Sequence, residues 1–260
     1  MGAQHGDLQG GWKPGPTLIS AGRGLLDLLL PPQALDGGAA GSPGLGAEAW
    51  GKISFIADPA CDGCGAPFDF DLGAGVRCPT CAARPRAFAR ARAACLYDEH
   101  SRNLILQLKH ADRTDLAPLM AKWLSRAAAD LLAEADAIVP VPLHPARLFA
   151  RRYNQAAEVA RPLSKLADRP YLPDALIRRR ATATQGGKSG SGRQRNVAGA
   201  FAIPPFRRRQ VEGKRILLVD DVMTTGATLE ACAKALLAVG AVSVTAAVIA
   251  RVKDAPDVSM

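Results

Sequence analysis

The chain has few aromatics, few acids for its basic content, and no long apolar run. None of its apolar stretches approaches the roughly 20 residues that a membrane-spanning helix needs. The greasiest segment near the start, Gly24 to Leu30, is short and carries Asp27. No basic segment followed by an apolar core opens the sequence, so no secretory signal is expected. Gly6 stands where a myristoylation signal has Ser or Thr. These absences predict a cytoplasmic protein that does not itself cross a membrane. Aromatic residues are 5% of the 260, which leaves few rings for stacking on bases. Acids are outnumbered, 24 against 33 Lys and Arg, for a formal net charge of +9. Such an excess favours polyanionic partners: phosphorylated metabolites, nucleic acid or an anionic membrane face. A solvated basic surface is the plain alternative on net charge alone. The distribution changes the balance, because Arg178 to Arg215 holds eleven Lys or Arg residues and one acid, Glu212.

What is present divides the chain into three parts. Residues 1–50 read as a Gly-rich tail, a short amphipathic helix over 17–30 stopped by Pro31-Pro32, and a Gly-rich linker. Residues 51–92 carry a cysteine cluster and a basic bridge from Arg84 to Arg92. Residues 93–254 alternate strand and helix patterns. Strands are expected near Ala94–Tyr97, over Ala137–Val141, Ile216–Val219 and Val242–Ala250. Helices are expected over Asn103–His110, Leu116–Ala133, Tyr153–Leu166 and Thr228–Val239. That alternation predicts an α/β domain with a mostly parallel sheet. Residues 181–196 hold almost nothing apolar and are expected to form a mobile loop.

The richest segment is Arg215 to Leu229, R-I-L-L-V-D-D-V-M-T-T-G-A-T-L. An apolar strand carries Asp220 and Asp221 to its end, where ligands of parallel sheets bind. Two adjacent carboxylates pointing in different directions can accept from two hydroxyls of a ribose diol and favour a divalent cation. Thr224, Thr225, Gly226, Ala227 and Thr228 then offer backbone N–H groups, hydroxyls and a helix N-terminus to a phosphate. A strand end and a helix cap would account for one acid and one Thr. They do not require two acids, three Thr and a Gly within nine residues. Gly187-Lys188-Ser189 imitates the end of a Walker A motif, but Thr182 stands where that motif needs Gly, so no ATPase loop is expected.

Cys61-x-x-Cys64 and Cys78-x-x-Cys81 are separated by thirteen residues. In a cytosolic chain this spacing predicts a structural Zn²⁺ site of four thiolates rather than disulfides. Residues 58–83 have too few apolar side chains to fold alone, so metal would supply their core. Cys95 and Cys232 lie in apolar contexts and read as core residues. His110 reads as a helix-end residue. His144 is a candidate ligand contact.

The segment Val219 to Leu229 resembles the phosphoribosyl-pyrophosphate (PRPP) motif of type I phosphoribosyltransferases. The resemblance extends through the C-terminal two-thirds of the chain. Val139-Pro140-Val141-Pro142-Leu143-His144, Arg147, Arg151-Arg152 and Asn154-Gln155 are similar to the ComF/GntX family, competence-associated proteins with a phosphoribosyltransferase domain. So are Arg180-Ala181-Thr182-Ala183-Thr184-Gln185, Arg193, Arg195-Asn196-Val197 and Ala200-Phe201. The resemblance implies a type I phosphoribosyltransferase fold, a mostly parallel sheet flanked by helices, with a small N-terminal zinc-binding module. It implies that Asp220 and Asp221 hold the ribose hydroxyls, and that Val222, Met223 and residues 224–228 complete the PRPP site around the 5′-phosphate. It implies that Val141, Pro142, Leu143 and His144 form the pyrophosphate loop. The basic loop from Arg180 to Asn196 would close over the site, and Mg²⁺ would bridge pyrophosphate and ribose oxygens. Lys188, Arg193 or Arg195 could neutralise the departing pyrophosphate, and Arg193 and Arg195 would join the two acids as catalytic residues. A solvated segment or a nucleic-acid patch remains open for that loop. In one respect the chain departs from the family: many relatives have a further CxxC pair where this sequence reads Pro32-Gln33-Ala34-Leu35-Asp36-Gly37.

Two functions follow from the resemblance and the charge. The first is a role in DNA uptake and natural transformation, with PRPP bound. Its partners would be single-stranded DNA and the competence machinery at the inner membrane face, to which the protein would be peripheral. The second is an active phosphoribosyltransferase of nucleotide or amine metabolism. No acceptor pocket is visible in the sequence to choose between them.

Overall fold

The computed structural model describes residues 46–110, 113–180, 197 and 199–253. The expectations for the N-terminal 45 residues and for residues 181–196, including Arg193 and Arg195, lie outside this range. The described chain runs from helix α1 (Ala47–Gly51) and α2 (Pro79–Ala83) into strand β1 (Ala91–Leu96). Helices α3 (Glu99–His110), α4 (Ala117–Ala127) and α5 (Ala129–Glu134) lead to β2 (Ala137–Pro140). Helices α6 (Pro145–Arg151) and α7 (Gln155–Ala167) are followed by two short strands, β3 (Ile177–Arg178) and β4 (Phe201–Ala202). Then come α8 (Arg208–Val211), β5 (Arg215–Met223), α9 (Ala227–Leu237) and β6 (Ser243–Arg251).

Four strands form one parallel sheet in the order β1-β6-β5-β2. Parallel strands covered on both faces read as continuous apolar runs, and Ile216–Val219 shows this, with every residue at most 1% exposed. Alternate side chains point to opposite faces. Ile216, Leu218, Val244, Ala246 and Val248 share one buried cluster with Leu229, Cys232 and Leu236 of α9. On the other face, α7 packs against β2 and β5, and α4 packs against β1 and β6. In α7 the buried set Ala156, Val159, Ala160 and Leu163 follows the spacing of one helical face. Truncating Leu218 to Ala would leave a cavity worth about 2–5 kcal/mol. Strands β3 and β4 form a separate antiparallel pair, Ile177 opposite Ala202 and Arg178 opposite Phe201.

The structure differs from the sequence pattern in three instructive places. Strand β5 runs four residues past Val219, because β6 continues to pair with it: Asp220 is opposite Val248 and Met223 opposite Arg251. The acids therefore sit on a regular strand rather than after one. The single helix expected over Leu116–Ala133 is a 3₁₀ turn (Thr114–Leu116) and two helices broken at Ala128, whose φ of −115° leaves the helical region. Helix α7 starts at Gln155, not Tyr153, because the Asn154 side chain accepts from the Ala156 N–H at 3.2 Å and caps it.

The cysteine segment lies on the sheet. The Leu96 N–H donates to the Ser54 carbonyl and the Ile56 N–H to the Ala94 carbonyl, both at 2.9 Å, which covers the outer edge of β1. Cys61, Cys64 and Cys81 share the buried cluster of Phe88 and α9. Gly65, at φ +66°, is the close approach: a Cβ there would lie 3.1 Å from the Ala91 carbonyl oxygen. No helix among the described residues is long and apolar enough to cross a membrane.

Candidate functional site

Asp220 and Asp221 sit on opposite faces of β5 near its carboxyl end, as adjacent strand residues must. Both are half-buried. Asp220 faces the side of α9 and β3, and its Oδ1 accepts from the Asp221 N–H at 2.9 Å. Desolvation first, and the Asp221 charge second, push the Asp220 carboxyl up to about 8, with the Lys109 and Arg178 charges pulling the other way. Enclosure by protein atoms outweighs the fraction of its surface still open. Asp221 faces α3, where Lys109 Nζ lies 2.9 Å from its Oδ2. Burial lowers the basicity of Arg178, and the charge of Arg147 lowers it further. The two carboxylates thus stand among cations from β3 and α3, an arrangement suited to a polyhydroxylated, anionic ligand with a divalent ion.

The strand ends at Met223, and three residues turn the chain into α9. Gly226 holds the N-cap position at φ 74°, and no side chain caps the helix. The backbone N–H groups at this N-terminus therefore have no capping side chain competing for them, as an anion site requires. Thr224 is exposed, Thr225 and Thr228 are half-buried, and Ala227 is buried.

The turn after β2 leaves the sheet at the same edge. The Val141 N–H donates to the Val219 carbonyl at 2.8 Å, one residue before Asp220. The Asn154 amide donates to the Val141 carbonyl at 3.0 Å and fixes the turn from α7. Val141 and Pro142 are buried, and Leu143 and His144 are half-buried. His144 caps α6, its Nδ1 accepting from the Ala146 N–H at 3.3 Å. The structure thus brings residues 141–144 and 220–228 to one sheet edge.

The four sulfurs of Cys61, Cys64, Cys78 and Cys81 lie within 4.8 Å of one another. Thiolates at about 2.3 Å from a tetrahedral Zn²⁺ stand about 3.8 Å apart, the Cys64–Cys78 separation of 3.8 Å. The surroundings suit thiolates. The Cys78 N–H donates to Cys61 Sγ at 3.1 Å, and the Arg251 guanidinium donates to Cys64 Sγ at 3.1 Å. The thiols titrate as a set. The Cys64 hydrogen bond pulls Cys61 down to about 4, the same bond pushes Cys64 up, and burial pushes Cys81 up to about 11. The quartet fits a structural zinc ion.

Residues 123–259 match the family described as the phosphoribosyl transferase domain. Competence protein F of Haemophilus influenzae is 39% identical over 105 residues, 40% of this chain and 45% of its own length. DNA utilization protein YhgH of Escherichia coli K12 is 33% identical over 190 residues, 71% of this chain and 80% of its own length. The chain belongs to the ComF-like family of phosphoribosyltransferase-domain proteins. Among solved structures, a glutamine PRPP amidotransferase from B. subtilis aligns with 55% of this chain and 30% of its own, at 22% identity and a TM-score of 0.38.

For this ComF-like chain, sequence reasoning found the contiguous acid–loop segment and the cysteines. It gave no site role to Lys109 or Arg86. Lys109 carries no local signal, since its partner Asp221 is distant in sequence and only the fold joins them. Arg86 was visible as part of the basic bridge, but its contact with the Thr225 carbonyl at 2.6 Å belongs to tertiary structure.

Proposed function

We propose that this ComF-like protein binds PRPP with Mg²⁺ at residues 220–228 and 141–144, and that it acts in the uptake and use of single-stranded DNA. The observation that carries the ligand reading is the acid pair and glycine-turned loop on one continuous strand–helix junction. In this reading Asp220 and Asp221 hold the ribose hydroxyls, Val222 and Met223 lead into the loop, and Thr224–Thr228 surround the 5′-phosphate. Val141–His144 take the pyrophosphate, and Arg193 and Arg195 neutralise its charge. Mg²⁺ supplies positive charge beside carboxylates that repel each other, which the raised Asp220 supports. The DNA reading rests on the relatives' names, DNA utilization protein and Competence protein F, and on the net charge of +9. It puts the work of the protein in the cytoplasm, peripheral to the inner membrane, with the competence machinery as partner.

Deletion of the gene in a transformable host tests the reading. Loss of DNA uptake without purine or pyrimidine auxotrophy is the expected outcome. Auxotrophy with normal uptake would instead identify a metabolic phosphoribosyltransferase. In vitro, PRPP with Mg²⁺ is expected to bind the purified protein, and affinity for single-stranded DNA to fall steeply with salt. A flat salt dependence would remove the DNA partner.

A further inference from the structure

Two sets of contacts join the cysteine quartet to the loop after β5. The first follows the chain beyond the last cysteine. Cys81 lies on α2, and five residues later Arg86 Nη1 donates to the Thr225 carbonyl at 2.6 Å. The next N–H, that of Ala87, donates to Glu230 Oε2 at 2.8 Å in the first turn of α9. A Cβ on Gly226 would lie 2.5 Å from Arg86 Nη1, so the guanidinium rests directly on the loop backbone. The Phe88 ring supports it from 5.5 Å. The second set runs through the sheet. Arg251, 2% exposed, pairs in register with Met223, the residue that leads into the loop. Its Nη1 donates to the Cys64 carbonyl at 3.0 Å and to Cys64 Sγ at 3.1 Å.

These contacts have a direct consequence for phosphate binding. In a trans peptide the carbonyl and the following N–H point in opposite directions. Holding the Thr225 carbonyl toward Arg86 therefore fixes the Gly226 N–H toward the other side of the loop. Glycine at positive φ allows this peptide to turn over readily when nothing restrains it. We propose that the metal-filled cysteine quartet is coupled to the phosphate loop through Arg86, a positioning residue that sets the Thr225–Gly226 peptide for the 5′-phosphate of a ribose phosphate. The proposal rests on the reading of residues 220–228 as a PRPP site and deepens it: zinc occupancy regulates ligand affinity, and ligand occupancy regulates zinc affinity by the same factor.

The test uses full-length, zinc-loaded protein. PRPP with Mg²⁺ is titrated calorimetrically into the wild type, Arg86→Ala and Arg86→Lys, and zinc affinity is measured by chelator competition with and without PRPP. Arg86→Ala is expected to bind PRPP about tenfold more weakly, within the range of typical coupling, with zinc content unchanged. Arg86→Lys recovers part of the affinity. PRPP raises the zinc affinity of the wild type and leaves that of Arg86→Ala unchanged, a reciprocity that a merely structural contact would not produce. Wild-type binding of PRPP with no change in zinc affinity overturns the coupling, and so does equal PRPP binding by Arg86→Ala. No PRPP binding by the wild type overturns the ligand reading itself, and the coupling with it.

Discussion

The cysteine quartet and the acid pair are both polar clusters against one buried sheet, yet they are built in opposite ways. The quartet draws its ligands from two cysteine pairs thirteen residues apart, and the groups that donate to its sulfurs favour the bound state: a backbone N–H and a buried arginine. The acid pair comes from one segment, and its members oppose each other. Asp220 is desolvated and repelled by Asp221 before any ligand arrives. One cluster is a fastening, the other a strained site held open by the strands around it.

The strongest way to break this contrast is to remove a fastening. Cys61→Ser is expected to lose zinc and to lower the melting temperature by about 10 °C, as read by metal analysis and thermal denaturation. An unchanged melting temperature would mean that the quartet is not structural.

Asp220→Asn should do the reverse. With the carboxyl raised from its ordinary 3.8 to about 8, the native state keeps a proton that the unfolded chain has released. Stability contributed by this group is thus present below pH 4 and lost as pH rises toward about 8. Asn carries no such penalty, so the variant melts about 3 °C higher than wild type at pH 8 and equally near pH 3.5. Its affinity for PRPP with Mg²⁺ falls about 50-fold, the loss expected for hydrogen bonds to a charged acceptor. A variant that is less stable at pH 8 would show that Asp220 supports the fold.

Lys109→Met sharpens the comparison with a smaller effect. Lys109 pairs with Asp221 and favours the ionised form of Asp220. Removing it raises the Asp220 carboxyl further and makes PRPP–Mg²⁺ binding about threefold weaker at pH 7, an effect that persists at pH 8 and fades only at higher pH. A calorimetric pH series checks the slope.

The same division explains what could be read from the sequence. Cysteine spacing and the Asp220–Thr228 run are local, and local chemistry is written in order along the chain. The parallel sheet was also legible, because its buried strands are continuous apolar runs. The extent of β5 was not, since Asp220 to Met223 remain a strand only through pairing with Val248, Ala250 and Arg251. Nor could spacing reveal the cations that meet the acids. Lys109 and Arg178 arrive from separate elements, and folding alone brings them to the acids.

Strand β6 has a further meaning when the order of synthesis is considered. Among the described strands it is the last to be made, yet it lies between β1 and β5. It also carries Arg251, which reaches Cys64 from 187 residues away. A ribosome therefore releases the cysteine segment and β1 long before the element that joins them to the acid-bearing strand exists. A Zn²⁺ ion with four thiolates is a dianion, and the cation that faces it inside the core arrives with the last strand. The nascent chain can therefore load its metal before the central seam between β1 and β5 closes.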